Sequence, residues 1–254
     1  MEVKSYKKKQ NNIYEVTFSN GEKYNLYDDI ILKYELLINK SISPSTLKKI
    51  INDNNKKDVY YKALKYISIR MRSKKEMRDY LKKYEYSPSE ISFALESLQK
   101  DGYLDDKVYA KAYVNDQINL GSHGPRRIYY DLKKLGIDEK YINDALNKVK
   151  EKTWRERIEK IIEKRKKTNK DSLYIFKTKL RVFLIKEGYD DNIFNEMIDN
   201  LDIDTSDIFK KEAEKEWNKL SKKYSDVELK LKFKNKMYQK GFSSDQINSY
   251  VNED

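Results

Sequence analysis

Apolar residues recur at helical spacing in four segments of the chain that can be laid over one another without gaps. The segments are LKKYEYSPSEISFAL (81–95), LKKLGIDEKYINDAL (132–146), LIKEGYDDNIFNEMI (184–198) and MYQKGFSSDQINSYV (237–251), which begin 51, 52 and 53 residues apart. In every copy the eleventh and fifteenth positions are apolar, and this i, i+4 stripe is typical of an amphipathic helix. The pattern predicts a repeat protein built from helices.

Two polar positions near the middle of each segment predict a tight turn. The fifth position holds Gly136, Gly188 and Gly241 in three copies, and a glycine there can adopt the left-handed conformation that closes a helix. The first copy differs, because Glu85 stands at this position. The seventh position holds good N-cap residues for the next helix, namely Ser87, Asp138, Asp190 and Ser243. Each segment is therefore predicted to be a helix, a capped turn and a second helix.

A further helix is predicted before each of these pairs, at about residues 57–68, 106–119, 153–167 and 206–221. Twelve helices in four three-helix units follow. Repeats of this length stack side by side, so we expect an elongated, curved array. The predicted units are residues 56–104, 105–151, 152–204 and 205–254.

The first part of the chain has a different periodicity. Residues 13–27, IYEVTFSNGEKYNLY, alternate between apolar and polar around an Asn-Gly pair, which indicates a β-hairpin. A two-residue Asn-Gly turn would set Tyr24 opposite Thr17, and these two side chains belong to different faces of the hairpin. A loop of residues 19–21, with Gly21 left-handed, sets Val16 opposite Tyr24 instead, and we prefer this register.

Two short helices are predicted after the hairpin. One begins at Asp28 and runs through Tyr34, and the other begins at the Ser43-Pro44 pair and ends at about Asn52. Residues 1–55 are therefore predicted to form a small N-terminal module with the hairpin. The expected fold class is mainly α, a tandem array of four three-helix repeats preceded by this module.

The stretch GYLDDKVYAKAYV (102–114) contains two adjacent carboxylates, Asp105 and Asp106. Paired carboxylates can bind a metal or share a proton, and they can also begin a helix. No cluster of further ligands accompanies them, so we interpret them as N-terminal capping residues after a turn closed by Gly102. The residues that we expect to be buried around this turn are Tyr103, Leu104, Val108, Ala112 and, less regularly, Tyr109 and Tyr113.

Composition removes most classes of enzyme. Absence of cysteine excludes disulfides, thiolate catalysis and cysteine-based zinc sites. His123 is the only histidine, so a two-histidine metal site and a Ser-His-Asp triad are excluded as well, and we expect this side chain to lie exposed in a loop. No phosphate-binding glycine motif is present. We expect a protein that is not an enzyme and needs no cofactor and no metal.

The net charge of +12 is concentrated in patches. Residues 60–83 contain nine Lys and Arg against two acidic residues, and residues 152–170 contain nine against three. Basic patches suggest a polyanionic partner, most often nucleic acid. AT-rich coding DNA, which favours Lys, Asn, Ile and Tyr, is the other explanation. No apolar run is long enough to span a membrane and no signal peptide is evident, so the expected location is the cytoplasm.

Three segments together resemble the RecX family of regulators of the RecA recombinase. They are RMRSKKEMRDYL (70–81), GYLDDKVYAKAYV (102–114) and GPRRIYYDLKKLGI (124–137). The residues that carry the likeness are Arg70, Arg72, Ser73, Glu76 and Met77, then Gly102 to Asp106 with Tyr109 and Ala110, then Gly124, Ile128, Leu132, Gly136 and Ile137. Tyr109 stands where phenylalanine is more usual in the family.

The resemblance implies a regulator that lies in the groove of the RecA filament on single-stranded DNA, with the DNA contacted directly or through RecA. A monomer is the simple expectation, although the sequence leaves the oligomeric state open. Such a protein inhibits ATP hydrolysis, strand exchange and co-protease activity and promotes filament disassembly, with effects on recombination, DNA repair and the SOS response. The expected contacts are Arg70, Arg72, Lys74, Lys75, Arg78, Arg126, Arg127, Lys133 and Lys134. Three alternatives stay open. These residues are solvated helix faces, or the chain is a helical-repeat nucleic-acid-binding protein without RecA dependence, or it is a structural scaffold with neither activity.

Overall fold

The computed structural model describes residues 1–10, 12–39 and 41–253, and it is mainly helical with one small sheet. The strands are β1 (Val3–Lys8), β2 (Ile13–Phe18) and β3 (Lys23–Tyr27). The helices are α1 (Asp28–Lys33), α2 (Pro44–Ile67), α3 (Lys74–Leu81), α4 (Pro88–Lys100), α5 (Asp106–Asn119), α6 (Pro125–Lys134), α7 (Glu139–Leu146), α8 (Glu151–Lys166), α9 (Leu173–Lys186), α10 (Asp191–Asp199), α11 (Ser206–Leu220), α12 (Asp226–Gln239) and α13 (Ser244–Glu253). The predicted fold class is confirmed.

The described residues divide into two units. The first consists of residues 1–110 together with 135–138, and the second contains residues 111–134 and those from 139 onward. The first unit has one apolar core under the sheet and another among α2, α3 and α4. The second unit includes a core formed by α11, α12 and α13. Each unit is described by itself below.

The N-terminal sheet is antiparallel, in the order β1-β2-β3. Val16 pairs with Tyr24, and Gly21 has a φ of 86°, so the predicted three-residue loop and its register are confirmed. Strand β1 was not predicted, because its sequence, VKSYKK, contains three lysines and only one strongly apolar residue. Its position beside β2 is a tertiary effect that local propensity does not show.

Helix α2 is a single helix of 24 residues, and the predicted end near Asn52 is wrong. The polar run after Asn52 reads as a break in the sequence, but its side chains make tertiary contacts. Asn54 accepts a hydrogen bond from the backbone N–H of Tyr27 and donates one to the carbonyl of Asn25, both at 3.0 Å. This amide therefore binds the open edge of β3, and the boundary expected at residue 55 falls inside a helix.

One carboxylate of α2 ties the N-terminal module to the first repeat. Asp58 accepts hydrogen bonds from the hydroxyl of Tyr27 at 2.8 Å and from the hydroxyl of Tyr86 at 2.5 Å. Burial, followed by the contact with Asp58, raises the pKa of both tyrosines above the ordinary value. Both hydroxyls therefore remain protonated donors at neutral pH.

The three predicted turn glycines have φ angles of 77° at Gly136, 83° at Gly188 and 77° at Gly241. Each lies against the start of a helix that is 61 to 69 residues earlier in the chain. The carbonyl oxygen just before each glycine, which the end of a helix leaves without an intrahelical partner, accepts a hydrogen bond there. The pairs are Ser73 Oγ to Leu135 O at 2.7 Å, Gly124 N to Glu187 O at 2.7 Å, and Ser172 Oγ to Lys240 O at 2.7 Å.

This contact explains why three copies have glycine and the first does not. A Cβ at Gly188 would lie 2.4 Å from the backbone nitrogen of Arg127, and one at Gly241 would lie 2.7 Å from the hydroxyl of Ser172. Glu85, at the same position of the first copy, is exposed and does not have a positive φ.

The two aspartates of the GYLDD stretch are both helix caps, but of different helices. Asp105 Oδ1 accepts from the backbone N–H groups of Lys107 at 2.7 Å and Val108 at 3.0 Å, so it caps α5. Asp106 Oδ1 accepts from the backbone N–H of Lys74 at 2.9 Å and thus serves the start of α3. The interpretation as capping residues is confirmed, and the second cap could not be read from a local pattern.

The predicted packing around this turn is partly wrong. Leu104 is buried, but Tyr103 is 56% exposed and Val108 is 49% exposed. The buried face of α5 is formed by Tyr109, whose burial was expected, together with Ala110 and Val114, which were not expected. The face differs from the predicted one because the apolar residues of α5 are spread around the helix, so that spacing alone does not decide which side is buried.

Candidate functional site

The first predicted contact patch is organised around Glu76. Its Oε1 accepts from Arg70 Nη2 at 2.7 Å and lies 3.8 Å from Arg72 Nη1, while its Oε2 accepts from the backbone N–H of Ser73 at 3.0 Å. Burial opposes ionisation of this carboxyl, but the Ser73 amide and the Arg70 guanidinium outweigh burial, so the pKa of Glu76 lies below its usual value. Glu76 closes a capping box with Ser73 and orders both arginines.

Arg72 is a packing residue. Its guanidinium lies 4.0 Å from the ring centroid of Tyr66, and that ring stacks on Tyr80 with centroids 3.7 Å apart. The side chain is only 10% exposed. Stacking of a largely desolvated guanidinium on an aromatic ring is stabilising. In this conformation Arg72 has little surface with which to contact DNA or a protein.

We expect the replacement of Arg72 by alanine to lower the free energy of unfolding by about 2–3 kcal/mol, because the ring stack and one partner of the half-buried Glu76 are lost. Thermal unfolding followed by circular dichroism would measure this. The control is Arg78→Ala on the exposed side of α3, for which the change should stay within about 0.5 kcal/mol. Equal effects of the two replacements would contradict a structural role for Arg72.

The remaining residues of the first patch lie on α3. Lys75 and Arg78 are exposed, and Lys74 is half-buried beside Asp106. The stem of Lys75 packs against Gly136, since a Cβ on that glycine would lie 2.8 Å from Lys75 Cβ. Of the first predicted set, Arg78 and the end of Lys75 are therefore the cations best placed to meet a partner.

The second predicted patch is held by acidic residues of the next repeat. Arg126 pairs with Asp190, and Arg127 Nη1 lies 3.0 Å from Glu187 Oε1. Asp190 begins α10 as predicted, but its side chain makes no capping bond, because it binds Arg126 instead. Both arginines therefore join two repeats within the second unit.

The C-terminal end of α6 is more open. Lys133 is exposed and forms an ion pair with Glu139 at 2.6 Å, and Lys134 is exposed as well. An exposed ion pair of this kind is weak, and a polyanion can replace the carboxylate. Lys133 and Lys134 thus remain candidate contacts.

His123 lies near this junction and is not the exposed loop residue that we expected. Its Nδ1 lies 3.1 Å from Asp131 Oδ2, its Nε2 lies 3.9 Å from Glu187 Oε2, and the side chain is 24% exposed. The groups that surround it are brought together by the contact between repeats, which local sequence does not show. Within the described residues, no group of three acidic, histidine or cysteine side chains could hold a metal ion.

The sequence analysis missed a periodic set of cations on the second helix of each repeat. It aligned the repeats on the C-terminal ends of these helices. Helices α9 and α12 have 14 residues, whereas α3 has 8 and α6 has 10, so their starts are out of register in that alignment. Alignment on the N-cap residues gives a nearly uniform basic pattern. The fifth residue after the N-cap is Arg78, Tyr129, Lys177 and Lys230, and the ninth is Lys82, Lys133, Arg181 and Lys234.

In the third and fourth repeats some of these cations have structural partners. Lys177 Nζ donates to the carbonyl of Asp199 at 2.8 Å, and Lys230 Nζ donates to the carbonyl of Val251 at 3.1 Å. Each thereby binds the C-terminal end of the third helix of its own repeat, where a cation is favoured. At the corresponding positions of the first two repeats, Arg78 and Lys82 are exposed, and Lys133 forms an exposed ion pair with Glu139.

Comparison with protein families assigns the repeats. Residues 60–98 match the first three-helix domain of RecX, residues 105–146 match the second, and residues 203–251 match the third. The regulatory protein RecX of Oceanobacillus iheyensis is 30% identical over 99% of this chain and 96% of its own length. The chain belongs to the RecX family. The regulatory protein RecX of Listeria welshimeri is also 30% identical, over 100% of this chain and 97% of its own.

Solved RecX structures agree with this fold. A crystal structure of regulatory protein RecX covers 79% of this chain and superposes with a TM-score of 0.66 at 21% identity. RecX from Lactobacillus salivarius covers 59% of the chain with a TM-score of 0.54 at 29% identity. The three matched RecX domains leave residues 147–202 between them, and α8, α9 and α10 form the additional three-helix unit found there.

No helix in the described part of the chain has both the length and the apolar character needed to cross a membrane.

Proposed function

We propose that this RecX-family protein is a negative modulator of RecA that binds in the groove of the RecA filament on single-stranded DNA. Binding there inhibits ATP hydrolysis, strand exchange and co-protease activity and promotes filament disassembly. The observation that carries the proposal is the match of three RecX domains along the chain, in order. The protein acts as a monomer in the cytoplasm and catalyses no reaction itself.

The exposed cations of the first two repeats support binding to a polyanionic assembly. Lys75 and Arg78 on α3 and Lys133 and Lys134 on α6 reach solvent, whereas Arg72 is largely engaged in the fold and Arg127 is partly engaged with Glu187. A guanidinium or ammonium group at the surface can bind phosphates or acidic side chains. The filament offers both, so these four residues are the contacts that we propose.

Titration of the protein into RecA that hydrolyses ATP on single-stranded DNA tests the proposal. We expect inhibition at well below one molecule per RecA protomer, without comparable competition for naked DNA. A nucleic-acid-binding protein without RecA dependence would inhibit only when it sequesters the DNA, and its affinity would fall steeply with salt. That second result would overturn the proposal.

A single replacement locates the contact. Arg78→Glu should raise the half-inhibitory concentration about tenfold, which corresponds to the loss of one charge-assisted hydrogen bond. The matched control is Lys222→Glu, which makes the same change of charge at an exposed position of the fourth repeat. Equal potency of the two variants would remove Arg78 from the contact surface.

A further inference from the structure

The exposed face of α6 alternates cationic and aromatic side chains. Arg126, Tyr130 and Lys134 are four residues apart, so they lie on one face of the helix, each about one turn from the next. Tyr130 is 62% exposed, the side chain of Arg126 is 60% exposed, and Lys134 is exposed as well. The core takes Ile128 and Leu132 from another face of α6, so it does not need the ring of Tyr130.

The corresponding positions of the other repeats lack this pattern. Counted from the N-cap, the second, sixth and tenth residues are Lys75, Asp79 and Lys83 in the first repeat. They are Tyr174, Thr178 and Val182 in the third repeat and Val227, Leu231 and Asn235 in the fourth. An aromatic ring between two cations occurs at these positions only in the second repeat, so the repeat fold itself does not require it.

A cavity of about 560 Å³ opens beside this face, within the second unit. Its walls include Tyr129 and Tyr130 of α6, Trp154 of α8, and Asn143 and Asn147 at and just after the end of α7. The two tyrosine rings are nearly perpendicular, at 89°, with centroids 5.5 Å apart. Both asparagines are exposed, and each side-chain amide offers donors and an acceptor. The cavity therefore combines flat aromatic surface with amides that can bind the edge of a planar ring.

The surroundings of the cavity are positive overall, although acidic side chains lie close to it. Residues 124–155 contain nine Lys and Arg against five acidic residues. Three carboxylates on or beside the walls are already paired with cations, namely Asp190 with Arg126, Glu139 with Lys133 and Glu151 with Arg155. Exposed pairs of this kind are weak, and a phosphate can take the place of the carboxylate. The acidic groups therefore do not exclude a polyanion.

A single strand of DNA complements this arrangement. Along the strand each flat base has a phosphate on either side of it, and the face of α6 places an aromatic ring between two cations. In a duplex the neighbouring bases cover both faces of a base, whereas a single strand leaves them free to stack on an aromatic side chain. Such stacking tolerates every base, and amides can hydrogen-bond the base edge. An acidic segment of a protein would match the cations only.

We propose that α6 and the cavity beside it bind single-stranded DNA directly. One base stacks on Tyr130, Arg126 and Lys134 bind the phosphates on either side of it, and Asn143 and Asn147 hydrogen-bond its edge. This inference rests on the proposed function and deepens it, because it makes the DNA of the RecA filament a direct ligand of the second repeat.

Binding of the full chain to a fluorescein-labelled oligothymidine tests the inference by fluorescence anisotropy, at low salt, where contacts with phosphates are strongest. We expect Tyr130→Ala to lower the affinity about fivefold or more, the loss expected for one stacked base, and Tyr130→Phe to retain it. The wild-type protein should bind an abasic strand of the same length about fivefold or more weakly than oligothymidine. Tyr130→Ala should not distinguish the two strands, because the stacking contact is already lost.

Two further variants make the comparison specific. Tyr174→Ala is the matched control, because Tyr174 is 67% exposed on α9 and shares its face with Thr178 and Val182 instead of cations, so affinity should not change. Asn143→Ala with Asn147→Ala should lower the affinity for oligothymidine about threefold or more and leave that for the abasic strand unchanged, since the amides bind the base. Thermal unfolding followed by circular dichroism would show that each variant is folded.

The outcomes separate the inference from the function on which it rests. If the wild-type protein inhibits RecA but binds neither strand, or binds both equally, the inference is overturned and the proposed function stands. If Tyr130→Ala weakens the inhibition of RecA while its affinity for oligothymidine is unchanged, the face contacts a protein and the inference is overturned as well. Loss of strand discrimination in Tyr130→Ala, without any inhibition of RecA by the wild-type protein, would support the DNA site and overturn the proposed function.

Discussion

Replacement of Arg157 by methionine should lower the free energy of unfolding by about 4 kcal/mol, since the loss of a buried charged donor leaves several acceptors without a partner. Arg157 lies on α8, and its exposed fraction is 9%. Its Nη1 donates to the carbonyl of Ile118, its Nη2 donates to the carbonyl of Gly121 at 3.0 Å, and its Nε donates to the hydroxyl of Tyr189 at 3.3 Å. One guanidinium thus joins the end of α5 to the third repeat.

The carbonyls that Arg157 binds lie at the C-terminal end of α5, where cations are favoured and acceptors lack intrahelical partners. Methionine fills a similar volume without any donor. Urea unfolding would measure the loss of stability. Arg155→Met on the same helix is the control, because Arg155 pairs with Glu151 at the surface and its replacement should change stability by less than about 0.5 kcal/mol. Equal midpoints for the two variants would show that Arg157 does not hold the junction.

Replacement of Gly188 by alanine should lower the free energy of unfolding by about 3 kcal/mol. Alanine is strained in the left-handed conformation of this residue, and its Cβ would also clash with Arg127. The φ of Gly188 is 83°, and its Cβ would lie 2.4 Å from Arg127 N and 2.7 Å from Arg127 Cβ. The nearest atom belongs to the backbone, so a change of rotamer cannot relieve the contact. Separation of the two repeats would relieve it and would break the bond from Gly124 N to Glu187 O.

Gly102 provides a matched control for this prediction. Its φ of 78° is nearly the same, but nothing lies within 4 Å of the position that a Cβ would occupy. Gly102→Ala should therefore cost only the conformational strain, about 1–2 kcal/mol. Comparison of the two melting temperatures isolates the steric part. If both alanine variants unfold at the same temperature, then contact between the repeats does not explain the glycine at position 188.

Gly188 and Arg127 show which features could not be predicted from the sequence. The glycine at position 188 was predicted from its place after a helix, which is a local pattern. Its conflict with Arg127 depends on a residue sixty positions earlier, which no local pattern indicates. For the same reason the sequence did not show that Arg126 and Arg127 pair with Asp190 and Glu187, and their contact with a partner stays a prediction.

The candidate site shows the same division. Both basic patches could be located from composition, because charge is a property of the residues themselves. Composition could not show which of these cations are exposed to a partner. Arg72 packs against Tyr66 and Glu76, whereas Arg78, only six residues later, is exposed to solvent.

By itself the sequence determined the helical repeats, the left-handed turns, the hairpin register and the capping role of Asp105. Each of these depends on residues within a few positions of one another, where spacing decides which groups can meet. Only the tertiary structure decided the continuity of α2, the second cap at Asp106 and the partner that each arginine binds. Those features depend on groups that are distant in sequence and are brought together by packing, so their partners are set by the fold.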